Sequence, residues 1–397
     1  AGTRLTAFTY PGYEGGIGIL KSTNGGISWT LLENLVPNPT IAKNVEVIKI
    51  SFDAGIETII AAGGKNIYRS IDGGLTWSIF QNPATFLSEF IDLEFNLSNP
   101  QYVYASTKFA RNSIINTGEG AQFFESNDNG FTWTLKDVPD ANYNSPSNSI
   151  PGHFSEAIAI DVTPADPTFV YIHFNSGGSP SPENYIRKTI GFANPWTIVK
   201  NFNYTPCVFG PGIGMTGNIC GFDRWCHEFE VSDVASNIFY VGGTVLFKGV
   251  LNTTTNSIVW TQITFYHPNS ATTCENGTHA DIREIIQIPT TSSSPYLNRE
   301  RLFIGNDGGI AKTWNGGNYF RNINGYGLGI TQFYSIGGFE SSDDLIGGAL
   351  DNGILANQSG YWSQKLSTDG GWTQMDYEDP TIAYIAYLAN ITSANVV

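Results

Sequence analysis

The chain has 397 residues, 41% hydrophobic, 13% aromatic and 14% charged, a composition that predicts a folded, soluble protein with a sizeable core and excludes disorder. With 35 Asp and Glu against 20 Lys and Arg, the formal net charge of -15 argues against nucleic acid and anionic membrane as partners, since phosphate binding needs a basic stripe. No apolar run approaches the roughly 20 residues of a transmembrane helix, and no signal peptide is visible, as expected of a mature chain.

The predicted elements are strands. The chain starts on a second-strand-like run, Arg4–Tyr10. Seven inner-strand candidates follow, each succeeded by a second run: Val45–Phe52 then Thr58–Ala62, Phe90–Leu97 then Tyr102–Ser106, and Glu156–Val162 then Phe169–Phe174. Next come Glu228–Val234 with Ile238–Val241, Asp281–Ile288 with Arg301–Ile304, Gln332–Phe339 with Asp344–Ala349, and Thr373–Tyr377 with Ala383–Leu388. No stretch sustains helical periodicity.

A Ser/Thr-x-Asp/Asn-x-Gly-x-x-aromatic pattern occurs between these pairs at Ser22–Trp29, Ser70–Trp77, Ser126–Trp133 and Thr313–Phe320. Its Asn24, Asp72, Asp128 and Asn315 are expected to accept amides across a tight turn, the Gly to supply positive φ, and the aromatic to pack between units. These are scaffold roles. Degenerate copies are expected at Thr189–Trp196, Leu355–Trp362 and, interrupted, between Phe247 and Trp260. A repeat of roughly 40 to 60 residues is the signature of a propeller or solenoid.

The pattern resembles the Asp-box, or BNR, motif of sialidases, sortilins and xyloglucan-cleaving hydrolases. The resemblance implies an all-β fold, a β-propeller of four-stranded blades spanning residues 1–397 as a single domain, with seven blades and eight as the alternative. Thr373–Tyr377 would supply the inner strand missing from the first blade. The surplus strand after Ile382 points to part of a longer secreted chain. In order, His279-Ala-Asp281, Asn306-Asp307-Gly308-Gly309, Gly325–Tyr334, Asp351-Asn352-Gly353 and Ser367-Thr-Asp369-Gly370 resemble BNR-repeat proteins secreted by Bacteroidetes-type bacteria, many with type IX sorting modules.

Cys207, Cys220, Cys226 and Cys274 lie in two long loops without a Cys-x-x-Cys pair, which favours disulfides in an oxidising compartment over a zinc cluster and leaves their pairing open. The expected location is therefore secreted, extracellular or cell-surface. Six Asn-x-Ser/Thr sequons, at Asn96, Asn203, Asn252, Asn276, Asn357 and Asn390, are acceptors only in a eukaryotic secretory host.

Long insertions fall on the face opposite the repeat turns, the expected binding face. It gathers His153, His227 and His279, each just before an inner strand, with Trp225, Asp281, Asn306, Asp307, Asp351, Asn352, Asp369 and Trp372. Three chemistries fit this set. The first is recognition of a glycan or extracellular protein, or surface assembly, with His153, Trp225, His227, His279, Asn306, Asn352 and Trp372 as contacts. The second is glycoside hydrolysis by two of Asp281, Asp307, Asp351 and Asp369, which requires carboxylates about 5 to 10 Å apart. Sialidase chemistry is not expected, since no Arg-Ile-Pro element is present. The third is metal binding, by the histidines or, for calcium, by the Asp/Asn-rich loops. No cofactor is required by the first two readings.

Overall fold

The computed structural model describes residues 18–32, 45–82, 88–109, 121–136, 155–176, 184–191, 196–202, 228–243, 245–264, 278–279, 281–288, 300–323, 331, 333–338, 344–349, 352–358, 360–366, 370–376, 379 and 381–385. Every regular element among them is a β-strand.

The first two strands, β1 (Leu20–Lys21) and β2 (Thr30–Leu31), flank the first repeat turn. Six four-stranded runs follow. They comprise β3 (Val47–Asp53), β4 (Ile56–Gly63), β5 (Asn66–Ser70) and β6 (Ser78–Gln81), then β7 (Ser88–Phe95), β8 (Val103–Phe109), β9 (Phe123–Ser126) and β10 (Thr134–Lys136). The third is β11 (Ser155–Val162), β12 (Val170–Ser176), β13 (Asn184–Thr189) and β14 (Thr197–Phe202). The fourth is β15 (Glu228–Val231), β16 (Ile238–Gly242), β17 (Leu246–Asn252) and β18 (Ser257–Gln262). The fifth is β19 (Ile282–Ile288), β20 (Arg301–Asn306), β21 (Gly309–Thr313) and β22 (Arg321–Asn322). The sixth is β23 (Phe333–Gly338), β24 (Leu345–Ala349), β25 (Gly353–Gln358) and β26 (Tyr361–Leu366), and a final pair is β27 (Thr373–Met375) and β28 (Ala383–Ile385). Each run is an up-and-down meander in sequence order, and the second and third are joined where Ala157 pairs with Lys108.

The chain divides into two compact units, Ala1–Gly243 with Phe247–Thr261, and Thr244–Leu246 with Gln262–Val397. In the first unit the inner strands lie side by side, β3 against β7, β7 against β11 and β11 against β15. In the second, β27 packs on β23 and β24. Four-stranded meanders stacked through their first strands are propeller blades. The predicted fold class, all-β with propeller blades, is the observed one.

The core lies between successive sheets. Ile60, Ile67, Phe90, Leu93, Val103, Phe124 and Trp133 form one buried cluster, and Tyr104, Phe123, Ile158, Ile160, Val170 and Ile172 the next. Full burial of each large apolar side chain contributes about 1.5–3 kcal/mol. In two of the repeats the aromatic residue closes the gap to the preceding sheet. Trp133 packs with Phe80, and Trp196 meets Phe123 edge-on at 5.1 Å.

The repeat turns have the geometry the residues dictate. Ser70 Oγ donates to Asp72 Oδ1 at 2.8 Å and accepts the Gly74 amide at 2.9 Å, while Thr76 donates its amide to Asp72 at 2.9 Å and its hydroxyl at 2.5 Å. Ser126, Asp128, Gly130 and Thr132 repeat this network, and Asn24 and Asn315 accept the equivalent amides from Ser28 and Tyr319. Gly74 has φ +91°, a conformation strained for any other residue.

Two degenerate copies depart from expectation. At Leu355–Trp362 the strands continue through Asn357↔Trp362 and Gln358↔Tyr361. Leu355 has no hydroxyl to accept an amide, so the six-residue loop is not held and a short hairpin replaces it. Between Phe247 and Trp260 the turn is built by Asn252, whose Oδ1 accepts the Thr254 and Thr255 amides at 3.0 and 3.1 Å.

Candidate functional site

The sequence-predicted residues that come together lie at one end of the fifth sheet, in the second unit. The approach to β19 runs through His279 and Asp281, and Asp281 adopts φ +62°. That left-handed conformation costs about 1 kcal/mol and is tolerated by Asp because its short side chain bonds locally. Immediately afterwards the β19–β20 register shifts between Ile282 and Glu284, leaving Arg283 on a bulge. A bulge re-aims one side chain. Here it turns Arg283 onto the hairpin that joins β20 to β21.

That hairpin is Asn306-Asp307-Gly308-Gly309, closed by the pair Asn306↔Gly309. Asn306 Oδ1 accepts the Gly308 amide at 3.1 Å, an Asx-turn across the hairpin. Asp307 then takes a two-point fork from Arg283, Nε to Oδ1 at 2.8 Å and Nη2 to Oδ2 at 3.1 Å. The Arg283 side chain is 43% exposed and that of Asp307 20%. Such a pair contributes about 1 kcal/mol at most to stability but fixes the orientation of both groups. His279 lies directly over Gly308, where an added Cβ would come within 2.5 Å of the imidazole Cγ. Glycine at this position is what admits the ring.

His279, Asp281, Asn306 and Asp307 therefore form one constellation, with Arg283 as its organising cation. The sequence reading passed over Arg283. Its proximity to Asp281 was visible, but a bulge leaves no mark in composition or periodicity.

Asn352 and Trp372 lie around the sixth sheet. Asn352 accepts Gln364 Nε2 on its carbonyl at 2.9 Å. Gly370 donates to the Ala349 carbonyl at 3.0 Å and lies against the Gly353 carbonyl, which anchors the segment leading to the exposed Trp372, 74% accessible. Asp351, Asp369, His153, Trp225, His227 and the four cysteines Cys207, Cys220, Cys226 and Cys274 lie outside the described residues. Among the described residues no group of three or more His, Cys, Asp or Glu is arranged to hold a metal ion, and no helix is long and apolar enough to cross a membrane.

The scaffold carboxylates are held by the donors of their own turns. Hydroxyl and amide donation from Thr76, with Ser70, holds Asp72 down at about 2. Burial raises Asp128 but the equivalent donors, led by Thr132, outweigh it and lower its pKa.

A second charged set, in the first unit, was not anticipated. Glu94 on β7, Asp161 on β11 and Glu230 on β15 each face a buried tyrosine across their sheet, Tyr104, Tyr171 and Tyr240. Lys49 on β3 pairs with Glu94. Burial opposes the charge on Lys49, yet Glu94 and Asp92 hold its pKa above the usual lysine range.

No protein-family model and no curated protein sequence matches the chain. Among solved structures, an ancestral GH74 enzyme is 16% identical with a TM-score of 0.48, covering 90% of this chain and 54% of its own. The chain thus spans about half the length of that enzyme. An auxiliary nutrient binding protein from Bacteroides thetaiotaomicron is 9% identical, TM-score 0.40, over 83% of this chain and 64% of that one. YCF48 bound to D1 peptide is 12% identical, TM-score 0.38, over 88% and 94%.

Proposed function

We propose that the chain is a secreted or cell-surface propeller of the Asp-box type, with seven blades, that recognises an extracellular glycan through its long-loop face. The observation that supports this reading is the Arg283–Asp307 fork beside His279, Asp281 and Asn306. A carboxylate engaged through both oxygens by guanidinium is a fixed acceptor with outward lone pairs, and the guanidinium edge is a fixed donor. Together they suit the alternating donors and acceptors of sugar hydroxyls.

Recognition in this form requires no cofactor. Calcium at the Asp/Asn-rich loops is the alternative arrangement, and a protein ligand on the same face is the alternative partner.

The test is retardation in native gels containing single polysaccharides, run alongside a reducing-end assay on the same panel. Retardation that is lost in Arg283→Ala, with no reducing ends released, is the expected result. Release by the wild type that disappears in Asp307→Ala would instead establish a glycoside hydrolase. Absence of both would move the search to protein ligands.

A further inference from the structure

The fifth sheet has one buried face and one open face. Leu302, Ile304 and Ala311 lie on the buried side, where Gly317 of the repeat turn sits so close to Ile263 that an added Cβ would come within 2.5 Å of its Cδ1. On the other side, register places Ile286 opposite Phe303, Phe303 opposite Lys312, and Ile288 opposite Arg301. Trp314, one residue past β21, continues this face. Lys312 Nζ lies 4.6 Å from the ring centroid of Trp314 and 5.9 Å from that of Phe303. Ile286 is 51% exposed and Trp314 41%. In the second unit β27 packs on β23, but no comparable packing joins β23 to β19 among the described residues, and this face stays open.

Repeat position explains why a cation is left there. Lys21 and Arg69 each precede a repeat Ser and each donates to a carbonyl of the next repeat turn, Gly73 and Asn129. Lys312 holds the same position before Thr313. The next copy, Leu355–Trp362, is a short hairpin paired through Gln358↔Tyr361 and has no six-residue loop whose carbonyl Lys312 could reach. Its ammonium rests over the two rings instead. Arg301, on the same face, makes no side-chain hydrogen bond or ion pair among the described residues. The residue opposite Lys312 on β22 is a third cation, Arg321. Glu284, the carboxylate of this face, lies toward the hairpin end, opposite Gly305. In a chain of net charge -15, a row of cations beside an exposed indole is a local reversal of sign.

We propose that this face of the fifth sheet binds an acidic polysaccharide, whose uronate carboxylates meet Arg301 and Lys312 while a sugar ring lies against Trp314. The site rests on the glycan reading for the class of polymer and adds its charge: the Arg283–Asp307 fork at one end of the sheet takes hydroxyls, and the open face takes carboxylates. Guanidinium matches a carboxylate through two parallel hydrogen bonds, and lysine adds a point charge. An indole offers an apolar plate that is already desolvated on one side. An acidic peptide is the poorer fit. Extended peptides gain most from an unpaired strand edge, whereas β20 and β21 are paired on both sides and offer only side chains.

The experiment is affinity electrophoresis of the full chain in gels containing polygalacturonate, its methyl ester or poly-glutamate. The proteins are the wild type, Arg301→Gln, Lys312→Gln, Lys312→Arg, Arg283→Ala and a first-unit control, Lys65→Gln. The expected result is retardation by polygalacturonate that exceeds retardation by the methyl ester and falls with added salt. It weakens by about 10-fold or more in Arg301→Gln and in Lys312→Gln, and is retained in Lys312→Arg and Lys65→Gln. Polygalacturonate that does not retard the wild type, or retards both glutamine variants equally well, would overturn the site even if neutral polysaccharides still bind through Arg283. Equal retardation by the methyl ester would do the same, and equal retardation by poly-glutamate would assign the face to an acidic peptide instead. Retardation lost in Arg301→Gln but kept in Arg283→Ala, with no neutral polysaccharide bound, would uphold this site and overturn the fork as the glycan contact.

Discussion

Arg69 donates from Nε to the Asn129 carbonyl at 2.6 Å, repeating one blade later the contact that Lys21 Nζ makes to the Gly73 carbonyl at 2.8 Å. Both cations immediately precede a repeat Ser, and both reach the fourth position of the next repeat turn. The turns are thus linked in series along one face, independently of the apolar packing beneath.

Arg69→Ala is expected to destabilise the first unit by roughly 1–2 kcal/mol, the cost of leaving a carbonyl without its charged donor. Ligand binding at the fifth sheet is expected to be unchanged. Denaturant unfolding followed by tryptophan fluorescence measures the first effect, since Trp133 lies in the adjacent core.

Acid unfolding is expected to report the repeat turns. Asp72 is held at about 2 against an ordinary 3.8 by its Thr76 and Ser70 donors. A lowered folded value gives stability that is present above about pH 4 and lost as the pH falls toward 2. In Asp72→Asn this limb of the Tm-against-pH curve is expected to be shallower, with no change in ligand affinity. An unaltered acid limb would mean that the Thr76 donors are not what stabilises the turn.

Arg283→Ala and Asp307→Ala are each expected to weaken ligand binding by about 10-fold or more, while Tm moves little because the pair is partly exposed. The double variant should be no worse than either single one, since each removes the same fork. Isothermal titration with the polysaccharide identified by gel retardation provides the cycle. Additive losses would show that the two side chains contact ligand separately.

Gly308→Ala is expected to push His279 off the hairpin, at a cost of roughly 1–3 kcal/mol for the overlap. Its binding defect should match that of His279→Ala. A Gly308→Ala variant with native affinity would remove His279 from the site.

In a eukaryotic secretory expression host, peptide mapping is expected to find glycan on Asn252 and none on Asn96 in folded material. Asn252 is exposed on the β17–β18 turn, with its Oδ1 taken by the Thr254 and Thr255 amides. Asn96 is 2% exposed and spends its side-chain amide on Tyr104 and the Thr168 carbonyl.

Local chemistry determined what was legible in the sequence. The hydroxyl, carboxyl or amide, and glycine of Ser70–Trp77 and its copies act within eight residues, so their spacing alone specifies the turn and hence the hairpin. Alternating β-branched and aromatic runs specify strands in the same way, and β3, β11 and β19 lie within a few residues of their predicted bounds. Where one local group was missing, at Leu355, the pattern misled because aromatic spacing survives without the hydroxyl that holds the loop. The Arg283–Asp307 fork and the amide bonds from Ile160 to Asp92 and from Val231 to Asp161 join residues 24, 68 and 70 positions apart. Those contacts exist only once a bulge has turned one side chain and once inner strands of successive blades lie side by side. Register and stacking are properties of packed sheets, and only the tertiary structure decides them.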